Sequence, residues 1–158
     1  MEKKYVEFNT IREDYNAYEI ENGHILKVKK VLTNIYQNKG SDDAVPTADI
    51  QTQDLSFVAT PVEIDTSEYE VAEPTDVTDK DHVGELKFTI LKEGLNIYET
   101  KNSLIIISDE LLHLYFTKKK DKKGVPIYRF VLRGAINVLE KKMLKGVPLS
   151  DLPKESEK

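Results

Sequence analysis

His24, His82 and His113 are the only imidazoles in this 158-residue chain. Imidazole is the usual general base near neutral pH and the commonest metal ligand. Their spacing suits neither role, because no two stand at His-x-x-x-His or a similar ligand interval. His24 lies beside a turn, His82 in an acidic stretch and His113 in an apolar one, so each is read as a structural or surface histidine. The carboxylate pairs Asp42-Asp43 and Asp109-Glu110 are the other acid–base candidates. Paired carboxylates do such work only where they converge in a cleft that splits their pKa values. Neighbours along a strand point to opposite faces and do not converge. The 7 glycines are scattered and build no phosphate-cradling loop. With no cysteine there is no disulfide, thiolate zinc site, iron–sulfur cluster or thiol nucleophile. The expectation is a protein that is not an enzyme and uses no cofactor and no metal.

One cluster keeps a functional edge. Lys118, Lys119, Lys120, Lys122 and Lys123 crowd a short loop, and Arg129 and Arg133 follow with Tyr128 and Phe130 between them. Cations at this density grip a phosphate backbone and interleaved aromatics stack bases, so 118–133 is the candidate nucleic-acid site. The competing readings are a solvated hairpin tip and an internal contact with an acidic segment of the same chain. Tyr18 and Tyr98 each follow an asparagine by two residues. They read as structural aromatics with the hydroxyl at a rim, in preference to one ligand pocket per module.

The acidic segment is 62–83, with a net charge of −7 between a first part (1–61) at −3 and a last part (84–158) at +5. Such segregation points to a nucleic-acid face, to an internal contact, or to solubility alone. Like charges and small apolar residues predict an extended linker there, unable to offset its ordering entropy by burial.

Sliding the chain on itself by 80 residues gives 12 identities between 8–58 and 88–138 without a gap. They include Phe8/Phe88, Glu13/Glu93, Asn16/Asn96, Tyr18/Tyr98 and Pro46/Pro126. This pattern predicts two tandem copies of one module. The expected organisation is a first β repeat over 1–61, the acidic linker 62–83, a second β repeat over 84–153 and a frayed tail over 154–158.

Each copy opens with an alternating run, Tyr5–Phe8 or Leu86–Ile90, which reads as a strand. Asn22-Gly23 then signals a hairpin. Residues 28–36 and 108–116 fit either a helical stripe or a strand. β-branched content favours the strand, with a bulge near 29–30 and 109–110 to explain the change of phase. Asp121-Lys122-Lys123-Gly124 predicts a second hairpin turn, and 140–145 a short helix ended by Gly146 and Pro148. The fold class expected is mainly β, two small antiparallel modules related by a pseudo-twofold axis, forming two barrels or one merged sandwich.

No apolar run is long enough to span a bilayer and no secretory leader is evident, so the expectation is a cytoplasmic protein without membrane contact. The functional expectation is a non-enzymatic interaction module, an adaptor or assembly subunit that binds another protein or itself through exposed strand edges. The alternative is nucleic-acid binding through 118–133. A small-ligand pocket between the repeats is the weakest of the three.

Overall fold

The computed structural model describes residues 3–38 and 49–141. Eleven strands run in chain order: β1 (Lys3–Tyr5), β2 (Asn9–Arg12), β3 (Asn16–Ile20), β4 (Ile25–Asn38), β5 (Asp49–Ala59), β6 (Glu70–Val71), β7 (Gly84–Glu85), β8 (Phe88–Lys92), β9 (Asn96–Glu99), β10 (Ser103–Lys120) and β11 (Pro126–Glu140). Helical residues among those described are two three-residue 3-10 turns, Pro74–Asp76 and Asp79–Asp81, and Lys141, which is 3-10 directly after β11. The protein is mainly β. Of the expected helix at 140–145, Glu140 is the end of β11, Lys141 is 3-10, and the remainder from 142 lies outside the described residues, as does the tail.

The segment 28–36 is strand, and so is 108–116. β4 and β10 are long because Ile, Val, Leu and Tyr recur on one face, where they fit a pleated, half-buried surface. β4 pairs antiparallel with β5 from Ile25↔Ala59 to Tyr36↔Asp49, and β10 pairs antiparallel with β11 from Ser103↔Glu140 to Lys120↔Pro126. Each ladder has a bulge, at Thr33 in β4 and at Leu112 in β10, some three residues later than expected. The reason is that Lys30 and Asp109 face the interior, so the alternation runs unbroken through those charges and slips only beyond them. A second slip in β10 falls between Phe116 and Lys119. There Lys118 takes φ = 55°, the only left-handed φ among described non-glycine residues.

The turns differ from one another. At Asn22-Gly23 only Gly23 has a positive φ, 93°, and Ile20 closes a three-residue loop by donating its N–H to the His24 carbonyl at 2.7 Å. The other hairpin is one residue shorter, with Thr100 donating to Ser103 at 2.9 Å. Tyr18 therefore faces Leu26, whereas Tyr98 faces Ile105, at a spacing of one residue less.

The two sheets exchange strands. The first has the order β1-β4-β3-β8 with β5 on the far edge of β4; the second has β11-β10-β9-β2 with β6 and β7 on β10. β2 thus crosses over to pair with β9, and β8 crosses to pair with β3. The crossing loops are tied by asparagines: Asn16 Oδ1 accepts from Gly94 N at 2.7 Å, and Asn96 Oδ1 accepts from Asp14 N at 2.6 Å. A Cβ on Gly94 would sit 2.7 Å from the Asp14 carbonyl oxygen, so only glycine allows this approach.

Two cores lie between the sheets. One gathers Tyr18, Ile20, Leu26, Val28, Leu111, Leu114 and Tyr128; the other gathers Leu32, Ile35, Tyr98, Ile105 and Ile107. Each contains residues from both long strands, and each carries an edge-on ring pair supplied by a crossing segment, Phe88 on Tyr18 and Phe8 on Tyr98.

Candidate functional site

The acidic segment 62–83 does not stay extended in solvent. It lies along the β10–β11 hairpin as a strap. β6 pairs with Lys119 and Lys120 of β10, and Ala72 N donates to the Lys120 carbonyl at 2.9 Å. Tyr69 packs edge-on against Phe116, His82 stacks on Tyr115 with ring centres 4.0 Å apart, and Val77 is 3 % exposed. These few apolar contacts, plus the basic hairpin, supply what the strap's own composition lacks.

The strap decides the fate of the candidate cations. Lys119 Nζ meets Glu70 at 2.7 Å, Lys122 meets Glu73 at 3.0 Å, and Lys120 Nζ donates to the Thr66 carbonyl at 2.9 Å. Arg129 donates to the Val77 carbonyl at 3.2 Å and reaches the His82 ring at 3.5 Å. Arg133 pairs with Glu110. Of the seven, only Lys118 and Lys123 have neither an ion pair nor a side-chain hydrogen bond among the described residues. The aromatics are committed as well. The Tyr128 hydroxyl accepts from Asn22 at 2.7 Å and lies 2.9 Å from His24 Nδ1, and Phe130 packs on the first core. The turn itself is as read, with Gly124 at φ = 86° and Asp121 Oδ1 accepting from Lys123 N and Val125 N.

His24 is buried, its Nε2 2.9 Å from the Val62 carbonyl, and His113 is exposed beside Glu85 at 3.1 Å. Among the described residues no group of three or more His, Cys, Asp or Glu is placed to hold a metal ion, and no helix is long and apolar enough to cross a membrane. Asp42-Asp43 lies outside the described residues.

Two further features were not read from the sequence. The first is a cleft of about 660 Å³ beside β10. β9 pairs with β10 only as far as Ile107, and β7 pairs with it only at Tyr115 and Phe116. Between them no strand of the described residues pairs with that edge of β10. The Tyr18 hydroxyl, pushed up to about 12 by burial, accepts from Leu111 N at 3.2 Å and partly fills the gap. Glu93, Gly94 and Leu95 form the facing wall. The cleft is open because the pairs Ser108↔Ala135 and Asp109↔Gly134 are small there. At the like place in the other ladder stand Lys29↔Leu55 and Lys30↔Asp54, with Lys29 4.5 Å above the Tyr15 ring.

The second feature is a charged cluster between the sheets. Lys30 Nζ lies 3.0 Å from Asp54 and 4.0 Å from Asp109 Oδ1. The Asp109 side chain is 0 % exposed and neither oxygen has a hydrogen-bond partner. Burial first, and then the charge of Asp54, push its carboxyl up to about 7 against the pull of Lys30. Glu110, its neighbour, points outward to Arg133, so the two carboxylates diverge as strand geometry requires. A signal for the cluster did exist in the sequence: Lys30 and Asp109 are isolated charges inside otherwise apolar alternation.

Set against known proteins, the chain matches no family model, no curated protein and no solved structure.

Proposed function

We propose that this chain is a non-enzymatic protein-interaction module, an adaptor or assembly subunit that takes up a strand of another protein, or of a second copy, along β11. The observation that carries the reading is the edge itself. Among the described residues β11 is the terminal strand of its sheet, runs 15 residues, and leaves Val131 and Ile136 exposed at 44 % and 42 %. Long open edges are templates for pairing, and proteins that do not use them blunt them with prolines, inward charges or short strands. β11 has its one proline at its first residue, Pro126, and none within.

The test pairs capture of binding partners and sedimentation of the purified chain with two variants. Val131→Pro removes a ladder donor, and Val131→Lys with Ile136→Lys blunts the edge while keeping the backbone. Loss of partner or self-association in both variants, with an unchanged melting curve in the double-lysine variant, is the expected result. Retained association in a folded variant overturns strand addition at β11.

We propose further that the chain is a duplicated module whose halves are related by a pseudo-twofold axis. Support comes from the matched bulges at Thr33 and Leu112, the reciprocal asparagine ties, and the matched ring pairs. In this reading 62–83 is a strap between two interlocked halves.

Nucleic-acid binding through 118–133 is the second reading, favoured by the free ammonium groups of Lys118 and Lys123. The engagement of the other five cations and the burial of Tyr128 weigh against it. Fluorescence anisotropy with labelled DNA and RNA at two salt concentrations tests it. Binding that weakens steeply with salt and is lost in Lys118→Glu/Lys123→Glu supports the reading. The absence of binding at low salt removes it.

A further inference from the structure

Lys30 and Asp109 stand on the two long central strands, one from each sheet, and meet where the two cores adjoin. An ion pair at such depth repays its desolvation only with good geometry and further hydrogen bonds. This one has neither. Asp109 accepts no hydrogen bond, and the lysine nitrogen lies nearer Asp54 than Asp109. A buried polar group left in this condition is costly and calls for an explanation.

We propose that Lys30 Nζ and Asp109 Cγ join in an amide, a covalent staple between β4 and β10, with Asp54 relaying the proton. Lys30 Nζ lies 4.0 Å from Asp109 Oδ1, beside the carboxyl group whose carbon it has to approach to roughly 3–3.5 Å for attack. The absence of a side chain at Gly134 makes room for it, because a Cβ there would sit 2.6 Å from Lys30 Cε and 3.2 Å from Asp109 Oδ1. Asp54 is on the strand beside Lys30 and within 3.0 Å of its nitrogen, the place for a group that must first take a proton and then return it.

In the step, Asp54 removes a proton from the ammonium and the free amine attacks Cγ. A C–N bond forms and one Cγ–O bond breaks. Of the three ammonium protons, one stays on the amide nitrogen and two leave with the Asp109 oxygen as water. A positive and a negative side chain become one neutral amide, with no oxidant, reductant or cofactor. Where Asp109 begins protonated, its extra proton ends on Asp54. The buried, unbonded carboxylate disappears, which removes the electrostatic cost of the site. Asp109, whose carboxyl already favours the neutral acid, is the better electrophile for it.

The experiment is the intact mass of the denatured full chain, followed by a peptide map. The expected result is a mass lower than the sequence by one water, about 18 Da. The map is expected to show one branched peptide joining the segment that carries Lys30 to the one that carries Asp109. Lys30→Arg is expected at its full sequence mass, and Asp54→Ala mostly unbridged. A wild-type chain at its full sequence mass overturns the proposal. So does a water loss confined to a single peptide, the mark of an Asp109 imide. A completely bridged Asp54→Ala overturns the relay.

Discussion

Gly94 and Lys118 show two opposite bargains at single residues. Gly94 is where the crossing loops touch backbone to backbone. Gly94→Ala forces a methyl against the Asp14 and Tyr15 backbone and is expected to lower stability by roughly 2–3 kcal/mol in urea melts. Lys118 holds a left-handed φ that an L side chain adopts at a cost. Its bulge is pinned by Thr117, whose hydroxyl donates to the Ile127 carbonyl at 2.5 Å and accepts from Lys119 N at 3.2 Å. Lys118→Gly is therefore expected to raise stability by about 0.5–1 kcal/mol, read as a higher urea midpoint. Neither role was legible beforehand. Residue types mark turns and charges, but a backbone approach between positions 80 residues apart is set only once both loops are placed.

At the scale of elements, the strap is the instructive case. Its charge was plain from composition, and an internal contact with the lysine hairpin was one of the readings the charge allowed. What composition hid was the part played by a few apolar residues. Exposed ion pairs contribute little, so Glu70→Lys with Glu73→Lys is expected to cost under about 1 kcal/mol. Val77, buried against the hairpin with its carbonyl held by Arg129, should matter more: Val77→Ala is expected to cost about 1–2 kcal/mol. Thermal melts of the two variants side by side decide the order. Strands β3, β4, β10 and β11 were legible from alternation and β-branched content. The bulges were misplaced because a charge facing inward breaks the rule by which facing is read. The cleft beside β10 was not legible at all, since it arises where strands stop pairing.

For the whole molecule, the Lys30–Asp109 contact gives a pH signature. In Lys30→Arg the Asp109 carboxyl stays free. Beside Lys30 the unbridged carboxyl is held at about 7, above the ordinary 3.8, chiefly by burial; the burial and the neighbouring positive charge remain in the variant, so the folded chain again holds the proton more tightly than the unfolded one. The sign follows: stability falls as pH rises from about 4 to 7 and is level above. The bridged wild type lacks that acid and is expected to give a flat curve over the same window. Urea midpoints at pH 5, 6, 7 and 8 for both chains check this.

The exchange of β2 and β8 has a consequence for a broken chain. Each half borrows a strand from the other, so neither carries a complete sheet alone. The strap is what keeps the halves at high effective concentration. One proteolytic nick within 62–83 would turn an intramolecular fold into a two-fragment complex, held together by mass action. Nicked Lys30→Arg would then dissociate on dilution, while the nicked, bridged wild type would survive dilution as a single branched molecule.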